Sequence, residues 1–118
     1  MRTPGINSIL ALAVASTACA HRADAGAEAR QAVVERNIAE LQECWVDLAP
    51  EHPGVSGSLL FAVDLRRNGS VEWVEIEADE LGVVKLDACA VRQIKRWRFP
   101  EDHKRRSIRF GVGFTAPD

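Results

Sequence analysis

The stretch that decides the fold is residues 57–77, which read GSLLFAVDLRRNGSVEWVEIE. Its first half alternates between apolar and other residues, as expected of a strand with one buried face. The alternating apolar residues are Leu59, Phe61, Val63 and Leu65. Asn68-Gly69 then predicts a hairpin, because a type I′ turn needs positive φ at both central positions. A returning strand is expected from Val71 to Glu77.

The returning strand has a mixed pattern. Val71 and Trp73 share one parity, and Val74 and Ile76 share the other. Either both faces of this strand are partly covered, or a bulge near Trp73 shifts the alternation. A bulge that turned Trp73 outward would leave an aromatic side chain in solvent.

Outward from the hairpin, apolar periodicity predicts a helix on each side and a third strand at the end. The first helical stripe is Val34, Ile38, Leu41, Trp45 and Leu48, and Pro50 ends it. The second helix is expected over residues 84–98, with a stripe of Leu86, Ala90, Ile94 and Trp97. The last strand alternates through Ile108, Phe110, Val112 and Phe114. This order predicts an α+β fold with two helices on one face of a three-stranded antiparallel sheet.

The N-terminus resembles a secretory signal of the lipoprotein type. Arg2 precedes an apolar stretch without charge, and small residues lead to Cys19. We expect a signal peptide over residues 1–18, lipidation at Cys19, a flexible tether over 19–32 and a folded domain over 33–118. Ordinary secretion with cleavage nearby is the alternative. The expected location is the bacterial envelope, with the chain anchored to a membrane and facing the periplasm, or soluble there.

Cys44 and Cys89 both border the apolar stripes of helices that must pack on the same sheet. A disulfide between them is expected in an oxidising compartment. The alternative is a pair of buried free thiols that behave as small apolar residues. No histidine or third cysteine lies at ligand spacing, so the pattern does not favour a metal site.

Several short motifs together resemble the TonB C-terminal-like domain family, in its AgmX/PglI C-terminal domain branch. They are Cys44-Trp45, Gly57-Ser58-Leu59, Asn68-Gly69-Ser70-Val71, Leu86-Asp87-Ala88-Cys89-Ala90-Val91 and Trp97-Arg98-Phe99-Pro100. The resemblance covers about Val33 to Phe114. It implies an αββαβ fold and a non-enzymatic interaction or assembly module that pairs with partners at a sheet edge.

The last strand is the expected partner-binding segment, because an edge strand accepts an extended partner by β-augmentation. The expected partner is an unidentified envelope protein. The candidate residues are Arg105, Arg106, Ser107, Ile108, Arg109, Phe110 and Val112. The alternative function is binding of peptidoglycan or lipid head groups through a basic face. That face would comprise Arg92, Lys95, Arg96, Lys104, Arg105 and Arg106.

Composition and motifs favour neither an enzyme nor a nucleic-acid binder. The net charge of −2 argues against general nucleic-acid binding. His21, His52 and His103 lie in no recognisable catalytic motif, and no serine has an elbow signature. No phosphate loop or cofactor motif is present. We therefore expect no cofactor and no catalytic residue.

Overall fold

A computed structural model describes residues 24–116 of the chain. Its elements are α1 (Ala27–Leu48), β1 (Gly57–Leu65), β2 (Val71–Asp79), α2 (Val84–Ile94) and β3 (Arg106–Phe114). Both helices pack against one antiparallel sheet, which confirms the predicted α+β class. The expected signal peptide, Cys19 and the start of the tether lie outside the described residues. Neither described helix is long and apolar enough to cross a membrane.

The strand order is β2-β1-β3, so the first strand of the hairpin lies in the middle of the sheet. Its alternating apolar residues are all buried, as predicted. The helices bury Leu41, Trp45, Leu86, Ala90 and Ile94 against this face. One apolar core therefore lies between the helices and the sheet.

The hairpin forms at the predicted place, but its turn differs from the predicted type. The Gly69 N–H donates to the Arg66 carbonyl at 2.9 Å, which puts Arg67 and Asn68 at the centre of the turn. Gly69 follows the turn with a φ of 87°. A Cβ there would lie 1.9 Å from the Phe99 carbonyl oxygen. Glycine is therefore needed here for its conformation and for close packing, and not for a type I′ turn.

Two bulges explain the mixed pattern of β2. Asp64 pairs with Trp73 and Leu65 with Val71, which leaves Glu72 unpaired. A second shift near the other end leaves Glu77 unpaired. The first bulge changes the alternation, so Val71 and Val74 are both buried while Trp73 is 59% exposed.

The second helix ends at Ile94, earlier than the predicted Arg98. The Trp97 N–H donates to the Ile94 carbonyl at 3.0 Å, which forms a turn, and Arg98 forms a bridge with Ser70. The helix ends early because Arg98 must be extended to pair beside the hairpin. Trp97 still reaches the core, where it is 4% exposed.

The first helix begins at Ala27, so residues 27–32 of the expected tether are helical. Arg30 lies in this first part and is only 5% exposed. Its guanidinium donates to Asp24 and to Asp102, the latter at 3.4 Å. A long-range ion pair, and not an apolar residue, therefore packs this end of the helix against the domain.

The helices divide the domain into two sides. α1 contacts β3, and α2 contacts β2. We call these the α1–β3 side and the α2–β2 side. The Cys44–Cys89 disulfide joins them, with 6.0 Å between the two Cα atoms. This confirms the predicted pairing.

Candidate partner-binding edge

β3 forms one edge of the sheet, and its backbone is regular. It pairs with β1 over Gly57↔Phe114 to Leu65↔Arg106 without any register shift. A strand without bulges presents evenly spaced N–H and C=O groups along its free side. This geometry suits the addition of another strand.

The odd-numbered residues of β3 direct their backbone groups away from β1. The Gln42 side-chain amide donates to the Gly113 carbonyl at 2.9 Å, and the Trp45 indole N–H donates to the Thr115 carbonyl at 2.8 Å. Since backbone direction alternates along a strand, Ser107, Arg109 and Gly111 also face outward. Side chains of α1 thus occupy the C-terminal end of this edge.

A groove runs beside the N-terminal part of the same edge, between α1 and β3. Val34, Ile108 and Phe110 supply its apolar surface, and Arg30, Gln31 and Arg109 are among its polar lining residues. Its volume of about 240 Å³ is below the range of about 300–1,000 Å³ typical of small-molecule sites. The space suits one or two side chains of an extended peptide.

The three arginines of the candidate segment are each paired within the chain. Arg105 donates to Glu72 at 2.6 Å, and Arg106 donates to Asp102 at 2.9 Å. Arg109 reaches across the sheet from β3 to Glu77 on β2, at 2.7 Å. Because their charges are already compensated, these side chains give an acidic partner little electrostatic attraction.

Arg106 also belongs to a small ionic cluster with Arg30, Asp24 and Asp102. The hydrogen bond from Arg106, helped by the Lys104 backbone N–H, lowers the pKa of Asp102 to about 2. The hydrogen bond from Arg30 lowers the pKa of Asp24. Both carboxylates are therefore charged at neutral pH and hold the 102–106 segment against α1.

The apolar residues of the candidate segment differ in how deeply they are buried. Phe110 and Val112 are 8% and 3% exposed and face the core, with Phe110 stacked on Trp97 at 5.8 Å between ring centroids. Ile108 is half-buried, and Ser107 donates to Asp64 at 2.7 Å. What this segment offers a partner is thus its backbone and the groove, and not a row of free side chains.

The opposite edge of the sheet is built differently. β2 carries both bulges, and four of its nine residues are acidic: Glu72, Glu75, Glu77 and Asp79. Bulges and charges are features that keep an edge strand from pairing with other chains. The β3 edge is therefore the better of the two for strand addition.

A pair of carboxyl groups that the sequence analysis missed lies on the α2–β2 side. Asp87 of α2 is half-buried beside Asp79, and one of its oxygens has no hydrogen-bond partner within the described residues. Burial, and then the contact with Asp79, raise the pKa of Asp87 to about 6. No local sequence signal shows this pair, because the two residues lie on different elements.

Within the described residues, His52, His103 and the expected basic face are spread over the surface. His52 stacks on Trp45 with 6.3 Å between ring centroids, and the 80%-exposed His103 contacts Asp102. In the basic face, Arg105 and Arg106 are engaged in ion pairs, whereas Arg92 and Lys95 form none among residues 24–116. Within that same range, no three metal-ligating side chains come together.

The chain matches no protein-family model, no curated protein and no solved structure in the comparisons made.

Proposed function

We propose that this chain is a non-enzymatic binding module that takes up an extended segment of a partner protein at the free edge of β3. The observation that carries the proposal is the unshifted register of β3, whose outward backbone groups lie beside a groove with both apolar and polar lining residues. The partner segment would pair with Ser107 to Gly111 and place one apolar side chain in the groove. Backbone hydrogen bonds would supply affinity, and the groove would supply specificity.

The setting we propose is the bacterial cell envelope, with the chain anchored through a lipid on Cys19. The support is the N-terminal pattern, and the Cys44–Cys89 bond fits an oxidising compartment. The shared motifs support membership of the TonB C-terminal-like domain family. Replacement of Cys19 by Ser is expected to release the protein from membranes, and unchanged attachment would rule out the anchor.

The binding proposal is tested with peptides selected from a random library by the purified full chain. Arg109→Pro removes an outward N–H donor at an edge position that tolerates proline. Arg109→Ala removes the same side chain and the Glu77 pair but keeps the N–H. We expect the proline variant to bind the selected peptides at least about fivefold more weakly than the parent chain, because one net hydrogen bond contributes about 1 kcal/mol. The alanine variant keeps this hydrogen bond and should bind them within about threefold of the parent chain.

Two results would contradict this mode of binding. One is equal affinity of the proline variant and the parent chain, with both shown to be folded by thermal unfolding. The other is a steep decrease of affinity with salt, since pairing between backbone groups depends little on ionic strength. A peptide that is N-methylated at alternate residues provides the reciprocal control from the ligand side.

A further inference from the structure

The second helix has an apolar stripe that faces solvent at Val84 and Ala88 and borders the core at Val91. Val84, Ala88 and Val91 follow each other at spacings of four and three residues, as neighbours on one helical face do. Val84 is 79% exposed, Ala88 is exposed and Val91 is half-buried. A shallow groove is lined by these residues together with Arg92 and Lys95.

Cations border this stripe. Lys85, Arg92 and Lys95 are exposed, and none of them forms an ion pair within residues 24–116. The arginines near β3, such as Arg105 and Arg106, are paired. We call this surface of the helix the α2 outer face. It consists of Val84, Lys85, Ala88, Val91, Arg92 and Lys95.

Asp87 is the only carboxyl group that lines this groove, and Asp47 lines an adjoining recess together with Lys85 and Arg92. The three cations outnumber these two carboxyl groups, so the α2 outer face presents a local excess of positive charge, although the whole chain has a net charge of −2. Attraction of the chain to a negative surface must come from this local arrangement and not from its overall charge.

We infer that the α2 outer face docks on a bilayer surface of anionic phospholipids. A helix that lies in a membrane interface buries short apolar side chains among the head groups, while lysine and arginine stems extend to the phosphates. The charge of the face is complementary to such a surface. The face also lies on the α2–β2 side, so docking leaves the β3 groove free.

The expected strength is modest. Each lysine or arginine near an anionic bilayer contributes roughly a fivefold increase in binding, which corresponds to about 1 kcal/mol. Three such residues give weak binding alone, and stable attachment of a protein normally takes two signals, such as one acyl chain and one basic patch. The face is therefore suited to orient a chain that is already held near a membrane.

The test is cosedimentation of the full chain with vesicles of phosphatidylglycerol and, separately, of phosphatidylcholine. The ratio of the two affinities removes contributions that do not depend on lipid charge, such as insertion of an acyl chain. Lys85→Gln/Lys95→Gln should lower this ratio roughly 25-fold. Arg67→Gln/Lys104→Gln makes the same change in net charge at exposed positions outside the face, and should lower it less than about threefold.

Three results would overturn the inference. The first is equal affinity of the parent chain for the two vesicle types at physiological salt. The second is an equal effect of the two double variants, which would mean that net charge alone matters. The third is binding to soluble polyglutamate as tight as to anionic vesicles, which would make the face a site for acidic polypeptide. Val84→Ser should weaken vesicle binding only, because polyglutamate offers no interface for its side chain.

Discussion

Aspartate side chains on the two sides of this domain have pKa values that are shifted in opposite directions. On the α1–β3 side, Asp24 and Asp102 face arginines, and their pKa values are lowered. On the α2–β2 side, burial and the neighbouring Asp79 raise the pKa of Asp87. The two edge strands differ as well, because β3 is regular whereas β2 is bulged and acidic. On the α1–β3 side, ion pairs hold the segment before a regular strand edge. On the α2–β2 side, the edge strand is bulged, and Lys85, Arg92 and Lys95 form no ion pair within residues 24–116.

The largest expected effect on stability comes from removing the disulfide that joins the two sides. Cys44→Ser/Cys89→Ser removes a bond between residues 45 positions apart. Loop-closure entropy predicts a loss of about 4 kcal/mol in the free energy of unfolding. Denaturant unfolding under non-reducing conditions measures it. A reducing agent should destabilise the parent chain to the same extent and leave the double variant unchanged; a parent chain insensitive to reduction would contradict the disulfide.

The next largest expected effect is a loss of stability on the α1–β3 side alone. Arg30→Ala removes a buried cation and leaves Arg106 as the one arginine of the cluster beside Asp24 and Asp102. We expect a loss of about 3 kcal/mol in the free energy of unfolding, as for other broken buried pairs. Arg105→Gln is the control, because it breaks a pair whose arginine side chain is 67% exposed and should change stability by less than about 1 kcal/mol. Similar losses in both variants would mean that burial of Arg30 has no energetic role.

A third experiment uses the opposite pH responses of the two sides. Because the folded-state pKa of Asp87 is raised from 3.8 to about 6, its contribution to stability is present below pH 3.8 and is lost as the pH rises through 6. The lowered pKa values of Asp24 and Asp102 act in reverse, and their contribution is lost as the pH falls below 3.8. Stability should therefore be highest at mildly acidic pH.

Asp87→Asn isolates the α2–β2 contribution. We expect a gain of about 1 kcal/mol at neutral pH, which allows for screening of the partly exposed group, and no gain below pH 3.8. Asp47→Asn makes the same change at an exposed position of α1 and serves as the control. Urea unfolding across this pH range measures both. A gain that is equal at all pH values would show that Asp87 does not titrate as described.

The sequence predicted what depends on local periodicity and failed where distant residues meet. The alternation of β1 and β3 and the stripes of both helices were sufficient to predict the architecture. The burial of Arg30 was not predictable, because its partner Asp102 lies 72 residues away. The end of α2 was misplaced for a related reason, since a bridge from Arg98 to Ser70 stops the helix before Pro100 does.

The sequence predicted that the last strand lies at a sheet edge, but not how the side chains of the candidate segment are paired. Residues 106–112 lie in the edge strand β3 and Arg105 directly precedes it, yet the arginines of this segment are paired with carboxylates of β2 and of the 102–106 segment. These partners lie on other elements or across a loop, so residue type alone suggested free cations. Gln42 and Trp45, which occupy part of the edge, were assigned no such role for the same reason.

The smallest expected effect tests whether the β3 edge is kept open for a partner. Gly111 has no positive φ, and a Cβ there would meet only the Leu59 carbonyl oxygen, at 3.9 Å. Gly111→Ala should therefore raise the free energy of unfolding by about 0.5 kcal/mol, because it restricts the unfolded chain. If glycine is retained for close approach of a partner backbone, the same variant should bind selected peptides more weakly.

Gly69→Ala is the contrasting variant, since its Cβ would clash with the Phe99 carbonyl and its φ is unfavourable for alanine. It should lose at least about 1 kcal/mol of stability. A Gly111→Ala chain that is more stable and binds peptides undiminished would leave the glycine without a role in binding. A chain that is more stable but binds peptides poorly would show that Gly111 is retained for binding at the expense of stability. The bulged β2 edge, for which no partner is proposed, does not need such a glycine.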